Sequence, residues 1–277
     1  MKEILELVFR VSLLTFVIGS MSAMGLSLRV QEILRPLGNL RLVGVSLLAN
    51  FVLLPLFTLG MIKLMPLPGG VNTGLIILSL AAGAPFLPKL VEISRSDIAF
   101  SLALMLLLMV VSIAYLPLVL PLLLPGVAVD SLGIARSLIV MMLIPLVLAL
   151  LLRARFETLA RRLHPVFVKI SNIALLLLTL SLLVLRSSSL LSLGGLPLLA
   201  IFLLAVAGMG FGYVLGGPAR EMRIVLSLGT GFRNILAAFL VASRNFKDPD
   251  VMMTMVIMSI VGIFVSLPFA FLAGAKS

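Results

Sequence analysis

The 277-residue sequence contains no cysteine, no tryptophan and a single histidine, His164. Without cysteine there is no disulfide, no thiolate metal site and no cysteine nucleophile. One histidine in a basic loop builds neither a histidine zinc site nor a Ser-His-Asp triad. No G-x-G-x-x-G or G-x-x-x-x-G-K-[ST] stretch occurs, which argues against movement driven by a nucleotide on this chain. Charge is scarce as well. Charged residues are 11% of the chain, where a soluble domain carries about a quarter.

Hydrophobic residues fill the gap, at 62% of positions and a mean hydropathy of +1.31. Polar groups this few cannot cover a sphere, so lipid must cover part of the surface. The expectation is an all-α polytopic membrane protein, with residues 1–277 forming one transmembrane domain. The net charge of +11 does not signal nucleic acid. The cations sit in short loops between apolar runs, where they encode topology.

A spanning helix needs about 20 mostly apolar residues. Such runs cover 4–27, 42–64, 72–92, 98–124, 132–152, 167–186, 194–216, 224–243 and 251–273, giving about nine spans. Val11–Ser22 has the length of a signal-peptide core, but Glu3 and Glu6 spoil the basic region before it, so the first helix is read as retained. Arg10, one turn after Glu6, is expected to form an i,i+4 pair near the interface. One set of loops holds Arg29, Arg35, Arg41, Arg95, Arg153, Arg155, Arg161, Arg162, Arg220, Arg223 and Lys276. The alternate set holds Lys2, Lys63, Arg136, Arg186, Arg244 and Lys247. The richer set is expected in the cytoplasm, with the N-terminus outside, the C-terminus inside and the chain in an inner or plasma membrane.

Two spans are interrupted. The third contains Gly83-Ala84-Pro85-Phe86-Leu87-Pro88-Lys89, and the eighth contains Gly229-Thr230-Gly231-Phe232-Arg233-Asn234. Both share G-x-x-F followed closely by a cation. Proline removes a donor and clashes with the preceding turn, and glycine loosens a helix. The freed backbone must line protein or a wet cavity. Broken segments in corresponding halves point to a transporter site between repeats. The third and eighth spans are expected to run in opposite directions, as an inverted repeat requires. Repeat one would cover about 4–124 and repeat two about 132–273.

Met24-Gly25-Leu26-Ser27-Leu28, Ala49-Asn50-Phe51 with Pro55, Arg95 through Leu104, and Arg233-Asn234 with Ala237-Ala238 resemble the bile acid:sodium symporter family in its nine-helix form. The resemblance implies an inverted-repeat fold with a panel of spans 1, 5 and 6, and a core of spans 2, 3, 4, 7, 8 and 9. Two broken helices would cross near the bilayer midplane. It implies transport of organic anions, usually driven by sodium, and no enzymatic activity.

The sequence departs from that family at the ion sites. Sodium-coupled members use a Ser-Asn pair in the first broken helix and a Glu with a Gln in the second. By the resemblance, Leu87 and Pro88 stand at the first pair, Gly229 at the Glu and Arg233 at the Gln. Asn50 matches a Gln of the second ion site, and Ser101 a polar site position. Sodium wants oxygen ligands, preferably charged, and a guanidinium about 4 Å away would repel it by several kcal/mol. Arg233, with Lys89, is therefore expected to stand in for the bound cation, to hold the crossover together and to attract an anionic substrate.

The candidate substrate and ion site is thus Asn50, Pro85, Pro88, Lys89, Glu92, Ser101, Gly229, Thr230, Arg233 and Asn234. Blander readings stand beside it: Lys89 paired with Glu92 at i,i+3, Arg233 paired with Glu92 across the crossover, and Asn50 or Asn234 as interhelical hydrogen bonds. Asn172, Ser20 and Ser22 are packing residues or face the cavity from the panel. Asp97 and Arg95 are capping or solvated. The expectation is alternating-access transport of a small organic anion, without cofactor, metal site or nucleic acid, in contact with membrane lipid. Sodium coupling through a rebuilt site is the alternative. An intramembrane enzyme or a channel is more distant, because Glu92 is the only deep acid and no D-x-x-D pair exists.

Overall fold

In lipid every backbone N–H and C=O must be satisfied within its own segment, so the long apolar runs fold as helices. The computed structural model of the chain describes residues 2–29, 38–124, 130–185 and 194–275, and its regular elements are all helical. Arg35, Arg186 and Lys276 of the loop charges lie outside the described residues.

α1 (Lys2–Ser27) opens the chain. The second segment is α2 (Leu40–Leu48), a π-turn (Ala49–Leu53) and α3 (Leu54–Leu64), with Pro55 in the first turn of α3. The third is split into α4 (Gly69–Leu80) and α5 (Leu87–Ile93), and α6 (Ile98–Leu123) follows. The fifth repeats the pattern of the second: α7 (Ser131–Leu138), a π-turn (Ile139–Leu143) and α8 (Ile144–Arg155), with Pro145 in its first turn. Then come α9 (Glu157–Leu185) and α10 (Gly195–Leu215). The last are the split pair α11 (Arg220–Gly231) and α12 (Ile235–Asn245), and α13 (Pro249–Ala275).

The expected nine spans are not confirmed as a count. Among the described residues, 7 segments are long and apolar enough to cross a membrane. The third expected span is two short helices, and α9 is not among the 7. Both expected breaks are present, at 81–86 and 232–234. Helix starts carry side-chain caps: Asn39 accepts from Leu42 N, Asp97 from Phe100 N and Asp130 from Gly133 N. Glu6 and Arg10 form no ion pair, contrary to expectation.

The helices sort into two groups. α1 packs on α8 and α9, while α4, α6, α10, α11, α12 and α13 pack on one another with α3 and α5. These are the panel and core expected from the resemblance. Between the groups, packing runs through α7 against α6 and α12, and through α1 against α12. Small residues allow the closest approaches. A Cβ on Gly208 would lie 2.7 Å from the Thr230 carbonyl, and one on Gly212 would overlap the Leu226 carbonyl, so α10 and α11 touch backbone to backbone. Gly25 does the same for α1, whose Cβ would lie 2.5 Å from the Leu146 carbonyl.

Candidate functional site

The break in the third segment begins where α4 ends at Leu80. Gly83 has φ +80, and a Cβ there would overlap the backbone N of Met109 on α6. Only glycine meets both conditions, since a left-handed φ and contact with a neighbouring backbone each exclude a side chain. The unwound residues then need partners, because lipid supplies none. Ser112 of α6 accepts from Ala82 N at 2.9 Å. Asn234 adds further partners from the other broken helix. Its backbone N donates to the Ala81 carbonyl at 3.0 Å, and its Nδ2 donates to the Ala82 and Gly83 carbonyls at 3.3 and 3.0 Å. Its Oδ1 meanwhile caps α12 by accepting from Ala237 N. Asn234 thus closes one break and starts the helix after the other.

Arg233 occupies the centre of the crossover. It is 1% exposed and is among the largest fully buried side chains of the described chain. Its Nε donates to the Leu78 carbonyl at 2.9 Å, and its Nη2 to the Ser79 carbonyl at 2.8 Å. Its Nη1 donates to Asn50 Oδ1 at 2.7 Å and to the Thr230 carbonyl at 3.2 Å. Leu78 and Ser79 lie in the last turn of α4, where unpaired carbonyls gather the negative end of the helix dipole. The guanidinium therefore neutralises a helix end with one charge-assisted bond per carbonyl. Asn50 lies on the first π-turn, and its Nδ2 donates to the Ser46 carbonyl and to the Thr230 hydroxyl. Five donors on a planar fork suit four oxygens at fixed positions, which an ammonium would not match.

The expected pairing of Arg233 with Glu92 is not found. Glu92 instead takes Lys89, with Nζ to Oε2 at 2.8 Å. Both side chains are open, at 58% and 56% exposure. Lys89 is exposed, and among the described residues Arg233 is the one buried cation. Phe86, just before α5, and Lys89 and Glu92 on it form an exposed face, with the Phe86 ring tilted against Phe232 of the other break at 5.8 Å between centroids. Pro85 and Pro88 are half-buried at the start of α5. Ser101 is buried, but its hydroxyl turns back to the Ile98 carbonyl and does not reach the crossover.

Gly229 faces apolar atoms. A Cβ there would meet Leu104 Cδ2 at 3.0 Å and Leu87 Cδ2 at 3.2 Å. Two leucines therefore fill the space beside the backbone that a longer polar side chain would enter. Among the described residues no cluster of three or more His, Cys, Asp or Glu could hold a metal.

The reading from sequence missed Ser112, which lies in an apolar run without any motif. It also missed the backbone partners of Arg233, since carbonyls carry no residue signature. Asn172 is exposed and Ser22 buried, and neither is a hydrogen-bond partner of Arg233 or Asn234. Asp97 caps α6, as expected of it.

A model described as the Sodium Bile acid symporter family matches residues 13–207. The match takes in the first break and ends before α11 and Arg233. No curated protein matches the chain.

Proposed function

Because the chain belongs to the sodium bile acid symporter family, we propose that it is a secondary transporter of organic anions that works by alternating access without bound sodium. It moves its substrate by uniport, by exchange or with protons. Arg233 supplies the positive charge at the crossover. The observation that carries this reading is the seating of its guanidinium against three carbonyls and the Asn50 amide oxygen. Those are oxygen ligands of the kind a hard cation takes. A sodium ion about 4 Å from the guanidinium would face a repulsion of about 4 kcal/mol at an effective dielectric of 20. Leu87 and Leu104 beside Gly229 offer no oxygen to offset it.

The sealed position of Arg233 separates two tasks that the sequence had merged. Arg233 organises the crossover, and an anion that meets Lys89 on α5 does so at the exposed Lys89–Glu92 pair. The two broken helices, in the third and eighth spans, support a two-repeat organisation of about 4–124 and 132–273. The joining of panel and core through α7 and α12 supports a cleft that opens toward the arginine-rich loops. The excess of arginine in those loops supports their lying on the cytoplasmic side, with the N-terminus outside.

Uptake of a panel of organic anions into proteoliposomes tests the proposal. Uptake persists when sodium is replaced by choline, and is lost in Arg233→Gln. Uptake that needs a sodium gradient in the wild type refutes it.

A further inference from the structure

The second segment turns through its π-turn and meets Pro55. In an α-helix the carbonyl of Phe51 would accept from the N–H of residue 55, and proline has none. A buried carbonyl left alone at membrane depth is costly. The missing donor comes from α6. The Tyr115 hydroxyl donates to the Phe51 carbonyl at 2.5 Å. The two rings meet edge to face, with centroids 4.8 Å apart, a preferred aromatic geometry.

Asn50 sits next to Phe51 on the same turn. A π-turn holds an extra residue, so its register decides which way each neighbouring side chain points. Here it points Asn50 at Arg233 Nη1 and at the Thr230 hydroxyl. Three residues before Tyr115, on the same face of α6, Ser112 accepts from the unwound backbone at Ala82. α6 therefore holds the first break and the π-turn beside it while giving no group to Arg233 itself.

We propose that Tyr115 is a positioning residue of the crossover: its hydroxyl takes the carbonyl that Pro55 leaves without a donor, and so fixes the π-turn that aims Asn50 at Arg233 and Thr230. Proline and tyrosine act as one device, the first freeing the carbonyl and the second holding it. This rests on the reading of the crossover as the functional centre, but its test needs neither substrate nor sodium.

Thermal melting of the purified full-length chain in detergent gives that test. Tyr115→Phe lowers the melting temperature by about 2–4 °C, the loss expected for one buried hydrogen bond. Pro55→Ala in the Tyr115→Phe background recovers most of that loss, because residue 55 regains an N–H for Phe51. Tyr115→Phe also costs less in an Asn50→Ala background than in the wild type, because the residue it positions is already gone. If Asn50→Ala yields no folded protein, Asn50→Ser takes its place. Equal losses in both backgrounds would mean that the hydroxyl merely ties α6 to its neighbour, and would overturn the proposal. Absence of recovery with Pro55→Ala would overturn it too. A transport assay that failed to show sodium independence would leave these melting results unchanged, so the two readings fail separately.

Discussion

Arg233 shows how a single charge is held inside an apolar protein. An arginine at the centre of a spanning helix costs about 2.5–3.5 kcal/mol on insertion scales, and that cost made it conspicuous in the sequence. What sequence could not show is that its partners are main-chain oxygens. A carboxylate partner leaves a residue to find, whereas the last carbonyls of a helix are present whatever the side chains are. Arg233→Lys keeps the charge but loses the planar fork. It is expected to cost about 2–4 kcal/mol, because at least one of the Leu78, Ser79 and Thr230 carbonyls or the Asn50 amide is left without a donor. Lys89→Gln removes an exposed ion pair instead and is expected to cost less than about 1 kcal/mol. Melting temperatures of the two variants side by side check the contrast. Equal losses would mean that burial does not separate the two cations.

At the level of elements, the broken helices were legible because their causes are covalent. Proline lacks an N–H and glycine lacks a Cβ, and both breaks fall where these residues cluster. The π-turns were not legible, since nothing in Ala49–Leu53 or Ile139–Leu143 differs from ordinary helix in composition. Their common neighbour is a proline shortly after each turn, Pro55 and Pro145. The way the breaks lock together was hidden for a similar reason. Asn234 read as a polar residue of uncertain use, yet it donates to three carbonyls of the other segment. The tightest single test at this scale is Gly83→Ala. A methyl group there would sit on the backbone of Met109 and force a left-handed φ on a residue that resists it. The expected outcome is loss of folded, monodisperse protein on size-exclusion chromatography. A well-folded Gly83→Ala would show that the 81–86 segment lies elsewhere.

At the scale of the whole molecule, panel and core were anticipated from the resemblance, and the packing of α1, α8 and α9 apart from the other helices agrees with it. The loop charges have a structural counterpart at one end of the panel. Glu157 Oε1 is shared by Arg161 at 2.6 Å, Arg29 at 3.0 Å and Arg153 at 3.3 Å, joining α8 and α9 to the residues just past the end of α1. Hydrogen bonds from Arg161 and Arg29 lower the Glu157 carboxyl from its ordinary 4.5 to about 2. A carboxyl lowered by folding stabilises the fold above its unfolded value, and that contribution fades as pH falls through the folded one. The wild type is therefore expected to melt higher than Glu157→Gln at neutral pH, and the gap should close between pH 4.5 and about 2. A gap that does not change with acid would place the contribution of Glu157 elsewhere.

The proposed independence from sodium also belongs to the whole molecule. The most direct measurement is the melting temperature of the purified wild-type chain as sodium replaces choline at constant ionic strength. A ligand that binds the folded state raises that temperature as its concentration climbs past its dissociation constant. With Arg233 seated on the oxygens of the crossover, the melting temperature stays level across the whole titration. A saturable rise with sodium, absent with choline, would show that the chain binds the ion and would contradict the place assigned to Arg233.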